Sequence, residues 1–509
     1  MKVEIVLMFV LAISTTSSLN ILGLFPYPGE SHFKFFHPIM RGLADAGHKV
    51  TVVSHFPDKN APENYNDLLL TKTTLDRNSL TLKEFKNESW FKNYQNFFLL
   101  NKMGIKTCEI AFNSTSVQKI LNTKPKYDVI LLEQFNNDCM VAIAWKIQAP
   151  VIALSSCLLM PWHYDRFGNP LIPSYIPALF TAYTDKMNFI ERLNNWITVN
   201  VLKLMYHYIA MPATDEIIQK YMKNDNIPAI SELVKETSLM FTNSHYSLSG
   251  SRPNVPNVIE LGGIHIKEEQ PLDAELKTFL DSATDGVIYV SWGSKVLASS
   301  LPDQKRESLL KAFGSLKQKI LWKFENDALP NQPENVFIRK WLPQRDILCH
   351  PNVRVFMSHG GLMGLSEAVY CGVPQVITPF GGDQFLNAAA AKTRGIGVIV
   401  QYEDITEDNI RRAINSALSS EALQNAKTVS YSFRNRPKTL LDTAVWWVEY
   451  VAETRGAPLL KSHSTNSSAF IYYSFDIYIT IATVFIAITV LFIYIVGNIC
   501  KRMKKLKTD

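Results

Sequence analysis

The sequence predicts an α/β protein of two Rossmann-like domains facing a cleft, with one transmembrane helix at the C-terminus. Three observations lead there. Short apolar runs alternate with segments of helical period in two separate series along the 509 residues. A polar, Pro-containing stretch without periodicity lies between the two series. Residues 477–499 contain no charged side chain. Apolar residues make up 47% and charged residues 19%, which excludes disordered and low-complexity classes. The net charge of +6 is concentrated at one end: Lys501, Arg502, Lys504, Lys505 and Lys507 against Asp509 give +4. Only +2 remains for the rest, so no nucleic-acid footprint is visible.

In chain order, 1–18 has a charged start, an apolar run and a small-residue stretch ending at Ser18, the pattern of a cleaved signal peptide. The run 19–25 is a strand and ends in Pro26-Tyr27-Pro28-Gly29. Phe36, Ile39, Met40 and Leu43 then recur at helical spacing, and 49–54 is the next strand. The unit repeats as strand 127–133, helix 140–148 and strand 151–155. Between 160 and 235, Trp162, Phe180, Phe189, Trp196, Leu204 and Tyr208 mark an aromatic, helical insert that is core, acceptor-pocket lining or a membrane contact.

The second series comprises strand 287–292, helix 302–316, strands 319–324, 336–340 and 353–357, helix 364–370 and strand 374–378. The span 477–499, at about 1.5 Å per residue, suffices for a hydrocarbon layer of about 30 Å. The basic tail after it and the flanking tyrosines orient the body into the lumen as a single-pass type I protein. Lys505-Leu506-Lys507-Thr508-Asp509 looks like a dilysine signal for return to the endoplasmic reticulum, and lysines that merely hold the helix against anionic lipid are the alternative. Sequons at Asn87, Asn113 and Asn466 all fall on the lumenal side. Cysteines at 108, 139, 157, 349, 371 and 500 show no CxxC spacing, so no metal site is expected and their pairing stays open.

The densest constellation is Trp341-Leu342-Pro343-Gln344, then Ser358-His359-Gly360-Gly361, Glu367, and Pro379-Phe380-Gly381-Gly382-Asp383-Gln384. A glycine pair opening a helix lets phosphate oxygens approach backbone N–H groups, with His359 beside them. Trp341 offers a flat face to a base, Gln344 and Glu367 suit vicinal ribose hydroxyls, and Asp383 with Gln384 suits sugar hydroxyls. Gly293-Ser294 after a strand is a second turn able to reach the phosphates. A plain Rossmann dehydrogenase is the structural rival, and the G-x-G-x-x-G it requires does not follow the first strand.

Phe356-Met357-Ser358-His359-Gly360-Gly361, Glu367, Pro374, Pro379 and Asp383-Gln384 resemble the UDP-glycosyltransferase signature. The whole chain, with signal peptide, anchor and tail, is similar to membrane-bound UDP-glucuronosyltransferase-like enzymes of the invertebrate type. The resemblance implies a GT-B fold with an acceptor-binding domain at 19–242, a linker at 243–270, a UDP-sugar-binding domain at 271–460 with its nucleotide signature at 341–384, the span at 477–499 and a cytosolic tail at 500–509. It also implies inverting transfer of a hexosyl group from a UDP-sugar to a hydroxyl of small lipophilic acceptors, as in detoxification. UDP-sugar is then a co-substrate, with no separate cofactor; a homo-oligomer is compatible. Uracil would rest on Trp341, ribose on Gln344 and Glu367, diphosphate on Ser294, His359 and the Gly361 backbone, and sugar hydroxyls on Asp383 and Gln384. A lumenal protein binding UDP-sugar or a lipophile without turnover is the alternative.

His32, at the start of the first helix, has the chemistry of a general base, and the resemblance places the base there. Its carboxylate partner is Glu133 or Asp138, with a lean to Asp138 for its shorter side chain on a loop at the cleft. The sugar motif 379–384 holds one acid and no Lys or Arg, which favours neutral glucose over glucuronate; Lys34 and Arg41 on the first helix could approach from the opposite domain, but Lys34, two residues from His32, points to a different helical face.

Overall fold

Seven parallel strands, β1 (Asn20–Leu24), β2 (Lys49–Ser54), β3 (Tyr65–Leu69), β4 (Val129–Glu133), β5 (Val151–Ser155), β6 (Leu239–Thr242) and β7 (Val258–Glu260), form the first sheet in the order β3-β2-β1-β4-β5-β6-β7. A second parallel sheet comprises β8 (Val287–Ser291), β9 (Lys319–Lys323), β10 (Val336–Arg339), β11 (Val353–Ser358), β12 (Gln375–Ile377) and β13 (Gly397–Ile399), ordered β10-β9-β8-β11-β12-β13. The structure is a computed structural model that describes residues 18–70, 81–82, 92–223 and 225–508. The expected signal peptide up to residue 17 and the sequon at Asn87 lie outside the described residues.

Helices cover both faces of each sheet, so the inner strands are apolar throughout and alternate only in which core they feed. Leu22, Leu24, Ile130 and Leu132 point into one core of the first sheet, Ile21, Val129 and Leu131 into the other. Ile288, Val290, Ile320 and Trp322 likewise oppose Val287, Tyr289 and Leu321 in the second.

Two expected boundaries shift. The stretch anticipated as a linker at 243–270 contains a short helix, Tyr246–Ser249, and strand β7, which pairs with β6 and completes the first sheet. Three residues are too few for a periodicity to show in sequence. The helix Leu440–Glu453, expected in the second domain, returns to the first: Ala444, Val448 and Val451 are fully buried in one core with Phe35, Phe36 and Ile39. Glu449 Oε1 lies 3.1 Å from Nε2 of the buried His48.

The aromatic insert divides. Trp162 and Phe180 are core, whereas Phe189, Trp196, Leu204 and Tyr208 are all more than half exposed. Disulfides join Cys108 to Cys139 and Cys349 to Cys371, while Cys157 and Cys500 are free thiols. The chain divides into two compact units at residue 460. The second contains the helix Phe475–Lys505, long and apolar enough to cross a membrane.

Candidate active site

Ligands of open parallel sheets sit beyond the carboxyl ends of the strands where the strand order reverses. In the first sheet that point lies between β1 and β4, and in the second between β8 and β11. His32 follows β1 in the first turn of the helix Glu30–Asp45, and Glu133 is the last residue of β4, so the topology alone brings them to one crevice. His32 Nδ1 is 2.6 Å from Glu133 Oε1 and 2.9 Å from Ser156 Oγ, beyond the end of β5. A carboxylate only accepts hydrogen bonds, so this contact fixes the proton on Nδ1 and leaves the Nε2 lone pair for a ligand. The Tyr27 and Phe135 rings lie 4.5 Å and 4.8 Å from the imidazole and hold its plane.

The lean to Asp138 as the partner of His32 is corrected by this geometry. Asp138 is buried and engaged in a bidentate pair with Arg166, at 2.8 Å and 3.0 Å, and accepts a 2.6 Å hydrogen bond from the Tyr206 hydroxyl. Arg166 also donates to Gln134 Oε1, so the network anchors the loop that leaves β4. A shorter side chain farther along that loop does not reach the imidazole, whereas a glutamate on the strand end does.

On the second domain, His359 follows β11 and its ring lies against Gly293 and Gly361. A Cβ at Gly293 would stand 2.9 Å from His359 Cε1, and one at Gly361 would collide with Nε2. The two glycines are therefore required for the ring to sit there. Burial pushes the His359 pKa down to about 4, so the ring is neutral, and its Nδ1 is buried without a partner, a polar atom available to a ligand. Gly361 caps the helix Leu362–Cys371, whose first N–H groups have no partner within the helix. Ser294 is exposed next to Gly293.

Gln344 Nε2 donates to Glu367 Oε2 at 2.7 Å, and the Tyr289 hydroxyl donates to Gln344 Oε1 at 3.3 Å. Burial raises the Glu367 pKa, opposed by the Gln344 amide and the Lys34 charge. Trp341, 73% exposed, precedes this pair as an open indole face. Asp383 accepts from Asn387 Nδ2 at 2.9 Å, and Asn387 also donates to the Gly360 carbonyl. Gln384 Oε1 accepts from the Phe380 and Gly381 N–H groups, which folds the glycine loop back on itself. Burial raises the Asp383 pKa, and His32 opposes that from across the crevice. Burial also pushes the Cys157 thiol up, with smaller contributions from Asp383 and Glu133.

Every described residue expected in the site thus lies beyond the carboxyl edge of its sheet or on the helix that follows, and Asp138, on the loop after β4, is turned away into the buried Arg166 and Tyr206 network. Sequence reasoning missed Ser156, Tyr27, Phe135, Tyr289 and Asn387. Asn387, one turn after Asp383, and Ser156, just past a strand end, were within reach of positional rules; the aromatic rings gave no signal. Asn113 and Asn466 are exposed, and Asn113 Nδ2 donates to the Tyr221 hydroxyl.

Residues 31–508 match the family described as "UDP-glucoronosyl and UDP-glucosyl transferase". The chain is 36% identical over 508 residues to UDP-glucosyltransferase 2 of Dactylopius coccus, covering 99% of this chain and 96% of that one. It is 27% identical over 477 residues to UDP-glucuronosyltransferase 1A3 of Rattus norvegicus, covering 89% and 87%. Among solved structures, a UDP-glucosyltransferase from Polygonum tinctorium capable of glucosylating indoxyl superposes with a TM-score of 0.58 at 15% identity, over 86% of this chain and 99% of that one. The glycotransferase of kitacinnamycin gives 0.56 at 17% identity, over 84% and 98%.

Proposed function

This chain belongs to the UDP-glucuronosyl and UDP-glucosyl transferase family and is a UDP-glycosyltransferase of GT-B fold; from that premise we propose that it glucosylates hydroxyl groups of small lipophilic acceptors with inversion at the anomeric carbon. The observation behind this reading is the His32 Nδ1 contact with Glu133, which leaves Nε2 as the ring's acceptor, in an imidazole near enough to Asp383 to act on its carboxyl. Nε2 takes the proton of the acceptor hydroxyl as its oxygen attacks the anomeric carbon from the face opposite the leaving group. The bond from that carbon to the diphosphate oxygen breaks, and Glu133 stabilises the imidazolium. UDP departs against the N–H groups of the helix Leu362–Cys371, with Ser294 and His359 at the phosphates. UDP-sugar is a co-substrate in this scheme and no separate cofactor takes part.

Glucose is favoured as the sugar. Arg41 is committed to Asp45, Asp58 and the Asn60 carbonyl, and Lys34 pairs with Glu30 at 3.0 Å while its charge acts on Glu367, at the ribose end. Neither is placed for a C6 carboxylate near Asp383, and the Dactylopius relative bears the name of a glucosyltransferase. Incubating membranes with a phenol panel and equal UDP-glucose and UDP-glucuronate should yield glucosides. Predominant glucuronides would overturn the sugar assignment, and UDP binding without any conjugate would point to a lumenal binding protein.

We place the body in the lumen of the endoplasmic reticulum as a type I protein. Two disulfides suit an oxidising compartment, and a basic tail follows the candidate span. Protease added to sealed microsomes should remove only the tail, and endoglycosidase H should shift the mobility of the protected body. Digestion of the body without detergent would refute this orientation.

A further inference from the structure

The Cys349–Cys371 disulfide joins the ends of two helices that each hold one member of the Gln344–Glu367 pair. Gln344 opens the helix Gln344–Leu348, and Cys349 caps its C-terminus. Glu367 lies one turn before Cys371, the last residue of the helix Leu362–Cys371. A five-residue helix does not sustain itself, because the cost of its first turn is spread over too few hydrogen bonds. Ile347 and Leu348 pin it to the core from one side. Gln344 packs so closely on the facing helix that a Cβ at Gly364 would be 2.9 Å from its Nε2. The covalent link ties the two helices together at the end away from that contact, beside the shared packing of Ile347, Leu348 and Ala368.

We propose that the Cys349–Cys371 disulfide is a positioning element of the donor site, a redox-linked clamp that holds Gln344 and Glu367 at the separation vicinal ribose hydroxyls require. Both cysteines are partly exposed, and Cys371 opens onto a surface groove of about 510 Å³ with Lys427 and Arg434 at its rim, which attracts a thiolate. A dithiol breaks the clamp in two steps. One thiolate attacks the Cys371 sulfur, giving a mixed disulfide and expelling the Cys349 thiolate; its second thiolate then displaces Cys371. The reagent is oxidised to its cyclic disulfide, and both cysteines end as thiols.

This inference rests on assigning Gln344 and Glu367 to the ribose, and one experiment separates the two. Affinities for UDP and 2′,3′-dideoxy-UDP are measured calorimetrically on the full-length protein in detergent: oxidised, reduced with dithiothreitol and alkylated, and as the Cys349→Ser/Cys371→Ser variant. The oxidised protein should prefer UDP; equal affinities would refute the ribose assignment itself. Opening the clamp should weaken UDP about 3- to 10-fold, the effect of one or two mispositioned hydrogen bonds, and leave the dideoxy analogue unchanged. The double variant, which retains Cys108–Cys139, should reproduce the reduced protein and be indifferent to dithiothreitol. If the variant does not fold, the alkylated wild type, checked by circular dichroism, decides. Unchanged UDP affinity after reduction, or an equal fall for both nucleotides, would overturn the clamp.

Discussion

Replacing His32 by alanine is expected to lower kcat by about 10²- to 10⁴-fold, the usual contribution of a positioned general base, while the Kd for UDP stays within about twofold. The separation follows from the architecture. His32 stands on the helix after β1 in the first sheet, whereas Trp341, Gln344, Glu367 and His359 all belong to the second. The side chain is mostly buried among Tyr27, Phe135, Glu133 and Ser156, none of which belongs to the nucleotide half. Single-turnover rates and calorimetric UDP titration of the same preparation are the measurements. A parallel loss of UDP affinity and turnover would mean that His32 touches the donor, and the division of labour between the domains would fall.

The carboxylates give the second large effect, with opposite signatures. Glu133→Gln keeps the shape but offers Nδ1 either an amide donor or a weaker acceptor, so the orientation and charge balance of the imidazole are lost. Turnover should fall roughly 10²-fold or more with donor binding and stability little changed. Asp138→Asn instead leaves the Arg166 guanidinium buried without its counter-charge, which costs about 3 to 5 kcal/mol of stability. The protein that remains folded should turn over at a near-normal rate. Comparing thermal unfolding with kcat per folded enzyme distinguishes the two: a catalytic defect in Asp138→Asn at unchanged stability would return that residue to the proton relay.

The contrast between Glu133 and Asp138 shows where a sequence stops. Glu133 ends the apolar strand and Asp138 follows five residues later on the loop, and neither position alone says which of them reaches the imidazole. What separates them is Arg166, 28 residues farther on, and Tyr206, 68 residues farther on, which meet Asp138 in the folded core. The second domain behaved differently because its ligand groups are packed into 341–384, where strand ends and helix starts follow one another closely. Gln344 and Glu367, assigned to one ribose by their side-chain chemistry and by the family resemblance, lie in direct contact.

The sequence by itself determined the two parallel sheets and the apolar span, because each is written in a local pattern: hydrophobic period and an uncharged run; the candidate base and donor-site residues come from its resemblance to the family signature. The tertiary structure alone decided the partner of His32, the pairing of the cysteines, the return of Leu440–Glu453 to the first domain and the seventh strand at Val258–Glu260. Each of these is a contact between segments far apart along the chain. Which of several equally suited side chains makes such a contact depends on strand order and packing, and those are properties of the whole fold.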